Sequence, residues 1–263
     1  MTVSAVGSAD ASTGFSTTSP SRSFFCSRLT AFLALRFSSS EEPMMAALFF
    51  PTSAIILKVV GKIQVESCPE LSSLKDLKGE CPKELYYLGK WEAKIFEKCV
   101  GIVGSRRMTS YGQRVLEKMV PALVQEGYTI VSGFMYGVDQ AAHKLAIECG
   151  GKTIGIHGWG INEPLYGEEK DLASKMLVIS EWEDKKGALW TFPRRNRIVA
   201  GLIQKLYVIE ATVKSGSMIS VEWAEKLKRE IWAVPGSITS KVSEGTNRLI
   251  SDGRAKMWTG DTN

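Results

Sequence analysis

The sequence predicts an α/β fold, a doubly wound and mostly parallel sheet with helices on both faces. Three observations predict it: apolar, β-branched runs recur from Cys99 onward, helical patterns stand between them, and glycine-containing loops follow the runs. The runs are continuously apolar rather than alternating, which is typical of strands buried on both faces. Strands that alternate with helices favour a parallel sheet.

Six runs supply the predicted strands in chain order. They are CVGIVGS (99–105), YTIVSG (128–133), KTIGIHG (152–158), MLVISEW (176–182), KLYVIEA (205–211) and EIWAVPG (230–236). Apolar residues at helical spacing predict helices over 138–149 and 217–229. A third helix is predicted in TFPRRNRIVAGL (191–202), because proline suits the first turn of a helix.

The composition excludes several classes of protein. With 44% hydrophobic and 23% charged residues, the chain has the composition of an ordinary globular protein of one or two domains. No apolar run reaches the roughly 18–20 residues that a membrane-spanning helix needs. The five cysteines contain no C-x-x-C pair and there are two histidines, so we predict no metal site and no disulfide framework. The net charge of +5 favours anionic partners but does not indicate which kind.

The front of the chain differs in composition from the rest. Residues 1–43 are rich in serine and threonine, carry arginines, and have few acids before Glu41. Two interpretations remain open: a peptide that targets an organelle, or a disordered or non-native leader, such as one translated upstream of a start at Met44 or Met45. Residues 44–98 are predicted to be an irregular lead-in, and 99–263 the main domain. We expect a cytoplasmic protein, with organelle targeting left open.

The loops that follow the predicted strands are suited to an anion. Most combine glycine with serine or threonine, as in VGSRRMTSYG (103–112) and EATVKSGSMIS (210–220). The carboxyl ends of parallel strands meet at one edge of the sheet, where backbone N–H groups and helix N-termini attract negative charge. The dinucleotide fingerprint G-x-G-x-x-G and the P-loop pattern are both missing from these loops, so we expect no nucleotide cofactor.

The helix over 191–202 begins with clustered positive charge. Arg194 and Arg195 lie four residues before Ile198 and Val199, and are therefore predicted to continue the core-facing stripe and to point into the crevice. Cations at a helix N-terminus cost about 0.3–1 kcal/mol each, and a bound anion would reverse that cost.

An alternative role for these arginines is local pairing with Glu181, Glu183 or Asp184. Three more cations, Arg106, Arg107 and Lys214, fall in neighbouring loops, and spaced positive sites favour a polyanion over a single nucleotide.

Five blocks follow one another within residues 68–255: VGSRRMTSYG, VSGFMYGVDQAAH, FPRRNRIVAGL, VIEATVKSGSMIS and VPGS…GTNRLISDG. In order and spacing they resemble the signature blocks of the DNA-processing protein A family, also called DprA or Smf. The resemblance implies an extended Rossmann-like fold that binds single-stranded DNA, forms a homodimer and is not an enzyme. It further implies a role in natural transformation, in which incoming strands are protected and loaded with the recombinase RecA.

The resemblance also implies the DNA-binding residues, to which the helix pattern adds Arg194. The full set is Gly104, Ser105, Arg106, Ser132, Gly133, Arg194, Arg195, Asn196, Arg197, Lys214, Ser215, Gly216 and Ser217. Tyr136 or Phe192 is a candidate for stacking on a base. For Trp182 and Trp190, lining the groove and packing in the core or at its rim both remain open.

A second hypothesis is an enzyme, a nucleoside-monophosphate phosphoribohydrolase like those of the cytokinin-activating "lonely guy" family. SGSMISVE places Glu222 near a helix start, as in that family's catalytic loop, but Met218 stands where the loop needs glycine. No other catalytic set is predicted. His143 is expected to face solvent, and for His157 packing and ligand contact both remain open.

Overall fold

Nine strands form one sheet in the structure, a computed structural model that describes residues 61–260. The strands are β1 Gly61–Gln64, β2 Glu84–Leu88, β3 Cys99–Val103, β4 Thr129–Ser132, β5 Thr153–Ile156, β6 Leu177–Ser180, β7 Lys205–Val208, β8 Glu230–Ala233 and β9 Lys256–Met257. Their order across the sheet is β1-β2-β6-β5-β4-β3-β7-β8-β9. In this spatial order, all neighbouring strands from β6 across to β9 pair in parallel, so the predicted fold class is confirmed.

Helices cover both faces of this sheet. They are α1 Ser110–Gln125, α2 Val138–Glu148, α3 Gly167–Ala173, α4 Thr191–Leu202, α5 Gly216–Lys226 and α6 Lys241–Ser251. Successive residues of a strand point to opposite faces. Accordingly, Val100 and Ile102 of β3 pack with α1 and α2, whereas Cys99 and Val103 pack with α4 and α5. All residues of β3 to β6 are buried, which explains their continuously apolar sequences. No helix within residues 61–260 is long and apolar enough to cross a bilayer.

The predicted elements from residue 99 onward are found in the structure with shorter bounds. Each of the six apolar runs contains one strand, which is two or three residues shorter than the run. The predicted helices over 138–149 and 217–229 correspond to α2 and α5, and that over 191–202 to α4. The residues that the runs lose lie mostly at their C-terminal ends, where the chain leaves the sheet to form the loops of the crevice.

The expectation of an irregular segment before residue 99 is wrong for the part that the structure describes. β1 and β2 extend the sheet by two antiparallel strands, with β2 paired to β6. Between them, the 3-10 helix Pro69–Glu80 buries Leu71, Leu74 and Leu77, and it packs against α4. Local sequence does not show that β2 belongs to the sheet, because its partner β6 lies about 90 residues further along the chain. The predicted leader 1–43 and residues 44–60 lie outside the described residues.

Leu74 tests whether this segment is an integral part of the fold. Its side chain is fully buried, and its Cδ2 would lie 2.7 Å from a Cβ added to Gly201 of α4. We expect Leu74→Ala to lower the free energy of unfolding by about 2–5 kcal/mol in urea denaturation, because the change leaves a cavity against α4. Ser72→Ala, at an exposed position of the same helix, is the control. Equal effects of the two substitutions would show that the segment is not docked on α4.

Candidate functional site

A cleft of about 450 Å³ opens at the carboxyl edge of the sheet, beside the ends of β3 and β7. These two strands are neighbours, and the chain proceeds outward from them in both directions. At such a switch point, the loops after the two strands diverge and leave a crevice between them. Eight of the residues predicted from the sequence line the cleft: Gly104, Ser105, Arg106, Arg195, Asn196, Ser215, Gly216 and Ser217.

Three helices begin at this cleft. Asp139 in the first turn of α2, Phe192 in the first turn of α4 and Gly216 at the start of α5 all contribute to its lining. The N-terminal end of a helix carries unpaired N–H groups and a partial positive charge. The cleft is therefore suited to an anion before any cationic side chain is considered.

Arg195 lies at the floor of the cleft with 4% of its surface exposed. Its guanidinium occupies the space above Gly133, where an added Cβ would overlap it. Its Nε has no hydrogen-bond partner among the described residues. Burial lowers the pKa of Arg195 to about 10, while the nearby Asp139 carboxylate opposes that shift. The side chain thus stays protonated at neutral pH, as a buried cation with unused donor capacity.

Asp139 is the acidic residue next to this cation. Burial raises the pKa of its carboxyl to about 6, against the opposing effect of Arg195. The backbone N–H of Met135 donates to Asp139 Oδ2 at 3.3 Å. Asp139 thus offsets part of the Arg195 charge near neutral pH, and less of it as the pH falls through about 6.

The loop that carries Arg106 is anchored to the end of β7 by Glu210, a buried residue that the sequence analysis missed. Glu210 accepts hydrogen bonds from the backbone N–H of Thr109 at 3.0 Å and from the Thr109 hydroxyl. Arg106 itself is exposed, and its guanidinium carbon lies 5.7 Å from the centroid of the Phe192 ring. An acid within an otherwise apolar strand end, in KLYVIEA, is the sequence signal that could have indicated this anchor.

Two of the predicted polar residues join neighbouring loops of the cleft. The Ser217 hydroxyl donates to the Gly104 carbonyl at 2.9 Å, and the Asn196 amide donates to the Gly216 carbonyl at 3.1 Å. The Ser215 hydroxyl is buried in the lining without a hydrogen-bond partner among the described residues. Ser217 and Asn196 therefore position the backbone, whereas Ser215 and Arg195 have groups left for a ligand.

The prediction that Arg194 points into the crevice is wrong, and Arg197 likewise lies outside the cleft lining. Both pair with Glu181, the alternative that the sequence analysis left open: Arg197 Nη2 lies 2.6 Å and Arg194 Nη2 3.2 Å from Glu181 Oε1. The reason is helical geometry, because positions 194 and 197 share one face of α4 and position 195 lies on another. Arg197 also donates from Nε to the Glu80 carbonyl at 2.6 Å, which ties α4 to the 3-10 helix.

Three other predicted residues occupy different positions around the site. Gly133 underlies Arg195, and Ser132 is buried with its hydroxyl donating to the Ile102 carbonyl. Lys214 is exposed in the loop before α5, outside the lining.

Glu222, on which the enzyme hypothesis depends, is exposed on α5 and also lies outside the lining, so it is not placed to act on a ligand in the cleft.

Both histidines are buried beside the floor of the cleft, so the prediction that His143 faces solvent is wrong. The Phe134 ring covers it at 5.6 Å, and its Nδ1 shares a hydrogen bond with the Thr153 hydroxyl. His157 packs between Phe134 at 5.0 Å and Trp159 at 4.6 Å, and neither of its ring nitrogens has a hydrogen-bond partner among the described residues. Burial, with Arg195 nearby, lowers the pKa of each imidazole to about 3.

Comparison with known proteins assigns the chain to a family. Residues 63–263 match the model of the family described as DNA recombination-mediator protein A. The chain belongs to this family. The resemblance to the DNA-processing protein A family that the signature blocks indicate is thereby confirmed, since the curated relatives of this family member include proteins named DprA and Smf.

Two relatives and two solved structures show the extent of the similarity. The DNA processing protein DprA of Streptococcus pneumoniae is 39% identical over 185 residues, which cover 68% of this chain and 64% of that protein. DprA of Bacillus subtilis is 35% identical over 167 residues, which cover 62% and 56%.

Among solved structures, DprA from S. pneumoniae has a TM-score of 0.69 and 33% identity, covering 78% of this chain and 72% of that one. DprA from Helicobacter pylori, whose structure is described as revealing a single-stranded DNA binding mode, has a TM-score of 0.65 and 30% identity, covering 74% and 90%. The matched part thus spans less than two thirds of the length of the S. pneumoniae and B. subtilis proteins.

Arg197 is expected to stabilise the fold. Its side chain is 1% exposed and faces the Glu181 carboxylate, which is 13% exposed. Burial raises the pKa of the Glu181 carboxyl, but hydrogen bonds from Arg197 and Arg194 outweigh this effect and lower it below its usual range. We expect Arg197→Ala to lower the free energy of unfolding by about 3–5 kcal/mol in urea denaturation, because it leaves a largely buried carboxylate poorly paired. Arg194→Ala, which removes the more exposed partner, should cost about 1 kcal/mol or less; similar losses in the two variants would contradict this division.

The buried histidines predict how stability depends on pH. In the folded chain His157 stays neutral down to about pH 3, whereas the unfolded chain protonates it near pH 6.5. The stability that neutral His157 contributes is therefore complete above about pH 6.5 and is lost as the pH falls, at about 1.4 kcal/mol per pH unit. His143 acts in the same direction, and Asp139, with its raised pKa, acts in the opposite direction below pH 6.

We expect His157→Leu to remove one of these contributions. Urea denaturation at pH 7, 6, 5 and 4 should show that the variant loses stability less steeply than the wild type, by about 1.4 kcal/mol per pH unit. Parallel pH profiles for the two proteins would mean that His157 becomes protonated within the folded state.

Proposed function

We propose that the cleft binds single-stranded DNA and that the chain is a DNA-binding protein rather than an enzyme. The observation that carries this proposal is Arg195, a buried cation with an unpartnered Nε at the floor of an open cleft. An anion that enters the cleft would supply the missing partner through charge-assisted hydrogen bonds. Membership of the DNA recombination-mediator protein A family supports the same proposal, as does the H. pylori relative described as binding single-stranded DNA.

A strand of linked phosphates suits this site better than a single phosphate. Arg195 lies at the floor, Arg106 is exposed at the lining, and Lys214 is exposed in the loop before α5. Neither Arg106 nor Lys214 has an ion-pair partner within residues 61–260. A single strand can bend its backbone inward to reach Arg195, whereas the phosphates of a duplex are held on a stiff, convex cylinder.

The partners and location of the protein are proposed from the family resemblance. We propose that the chain acts as a cytoplasmic homodimer that receives DNA during natural transformation and passes it to RecA. Light scattering over a range of protein concentrations tests the dimer, which predicts twice the chain mass of 28.9 kDa. RecA filament formation on strands already covered by the protein tests the transfer.

The cationic floor of the cleft is tested by titrating labelled oligo-dT with the protein at several salt concentrations. We expect Arg106→Ala and Arg195→Ala each to weaken binding about tenfold or more, because each removes a charge-assisted hydrogen bond to phosphate. The slope of log K against log salt should become shallower by about 0.7 for each phosphate that the variant no longer neutralises. Gly133→Ala should weaken binding in the same way, because its Cβ displaces the Arg195 guanidinium.

Two matched variants serve as controls for this titration. Arg248→Ala removes an exposed arginine of α6 that lies outside the cleft, and Gly79→Ala adds a methyl group that has no atom within 4 Å apart from those of its chain neighbours. Both should bind as the wild type does. The proposal would be overturned if wild-type affinity for oligo-dT did not depend on salt, or if the Arg195→Ala variant bound oligo-dT as tightly as the Arg248→Ala variant.

A further inference from the structure

Two apolar side chains stand exposed at the rim of the cleft. Leu189 is 93% exposed and belongs to the lining, and Trp190, the next residue, is 53% exposed. Apolar groups of this size normally leave water when a partner is available. Their position directly before α4 places them beside Phe192 and Pro193, which also line the cleft.

The backbone beneath these side chains is well anchored. Thr191 is fully buried, its hydroxyl donates to the Ala188 carbonyl at 2.8 Å, and the Ala188 N–H donates back to it at 3.0 Å. The Arg194 N–H donates to the Trp190 carbonyl at 3.3 Å, which joins the segment to the first turn of α4. The backbone that carries the exposed pair is therefore held in place, so that little backbone entropy is lost when a ligand covers the pair.

The surroundings of the indole favour a nucleobase. The Trp182 ring meets it edge-on at 5.9 Å, and the Lys185 ammonium lies over it at 4.9 Å from the ring centroid. With both contacts in place, more than half of the residue still stays exposed. A base has flat apolar faces and polar edges, so it can cover such a ring and keep its edges in water.

The other aromatic candidates near the cleft are less suitable. Phe192 is partly buried, between the Arg106 guanidinium at 5.7 Å and the Trp159 ring at 6.0 Å, and it is thus engaged in positioning Arg106. Tyr136 is 60% exposed but lies outside the lining. Trp190 is both exposed and continuous with the lining through Leu189.

We propose that Leu189 and Trp190 form a stacking platform for an unpaired base of the strand whose phosphates lie over Arg106 and Arg195. This inference rests on the proposed function and adds a contact to the base, which is independent of charge. Stacking is tolerant of sequence because every base has a π-face, so the platform should accept any nucleotide.

The experiment compares two ligands of equal length, oligo-dT and an abasic oligomer with the same phosphate backbone, by fluorescence anisotropy. Wild-type protein should bind oligo-dT about 10- to 100-fold more tightly than the abasic strand. Trp190→Ala should lose most of that preference, with unchanged affinity for the abasic strand and an unchanged salt slope. Trp190→Phe should retain much of the preference, and Leu189→Ser should reduce it partially.

Tyr166→Ala is the matched control, because Tyr166 is a 61% exposed aromatic outside the lining, and it should behave as the wild type. Thermal melting and circular dichroism establish that each variant is folded. The stacking platform would be overturned if the Trp190→Ala variant bound oligo-dT as tightly as the wild type, or if its affinity fell equally for both ligands. Neither result would contradict the proposal that the cationic cleft binds DNA. A wild-type protein that binds neither ligand would overturn both the proposed function and this inference.

Discussion

A guanidinium group buried at the carboxyl edge of a parallel sheet is the constraint on which the rest of the site depends. Arg195 can lie there because Gly133 has no side chain, and it remains charged because burial lowers its pKa only to about 10, with Asp139 opposing that shift. Three helices begin around it. Helix N-termini alone would repel a cation. The arrangement is therefore poorly compensated within the chain itself, and a bound anion would complete it. The suitability of the cleft for an anion follows from this local imbalance rather than from the modest net charge.

The three arginines of TFPRRNRIV have two different tasks although they lie within four positions of each other. Arg194 and Arg197 neutralise Glu181 and connect α4 to the 3-10 helix at Glu80, so their charges are satisfied inside the protein. Arg195 is turned away from that network and faces the cleft. The network holds α4 in place, and the position of Arg195 depends on where α4 begins. A structural ion pair and a ligand-facing cation thus share one turn of helix without competing.

The loops around the cleft are joined to one another before any ligand arrives. Glu210 holds the loop of Arg106 to the end of β7, Ser217 connects that loop to α5, and Asn196 connects α5 to α4. Because these hydrogen bonds already hold the loops together, the backbone amides and cations need little rearrangement on binding, which lowers the entropic cost of association. The proposed platform of Leu189 and Trp190 would add contacts to bases beside these cations.

The sequence by itself determined six of the nine described strands, three of the six described α-helices, the parallel sheet and the edge at which the glycine-containing loops lie. These follow from local patterns: continuous apolar runs, helical periodicity and small residues after each strand. Tertiary structure decided which arginine faces the cleft, because Glu181, which lies outside α4, pairs with Arg194 and Arg197 and leaves Arg195 to face the cleft. It also decided that β1 and β2 belong to the sheet and that His143 is buried, since distant segments supply the groups that pair with or cover them. Contacts between residues far apart in the chain leave little trace in local composition, which is why these features could not be predicted.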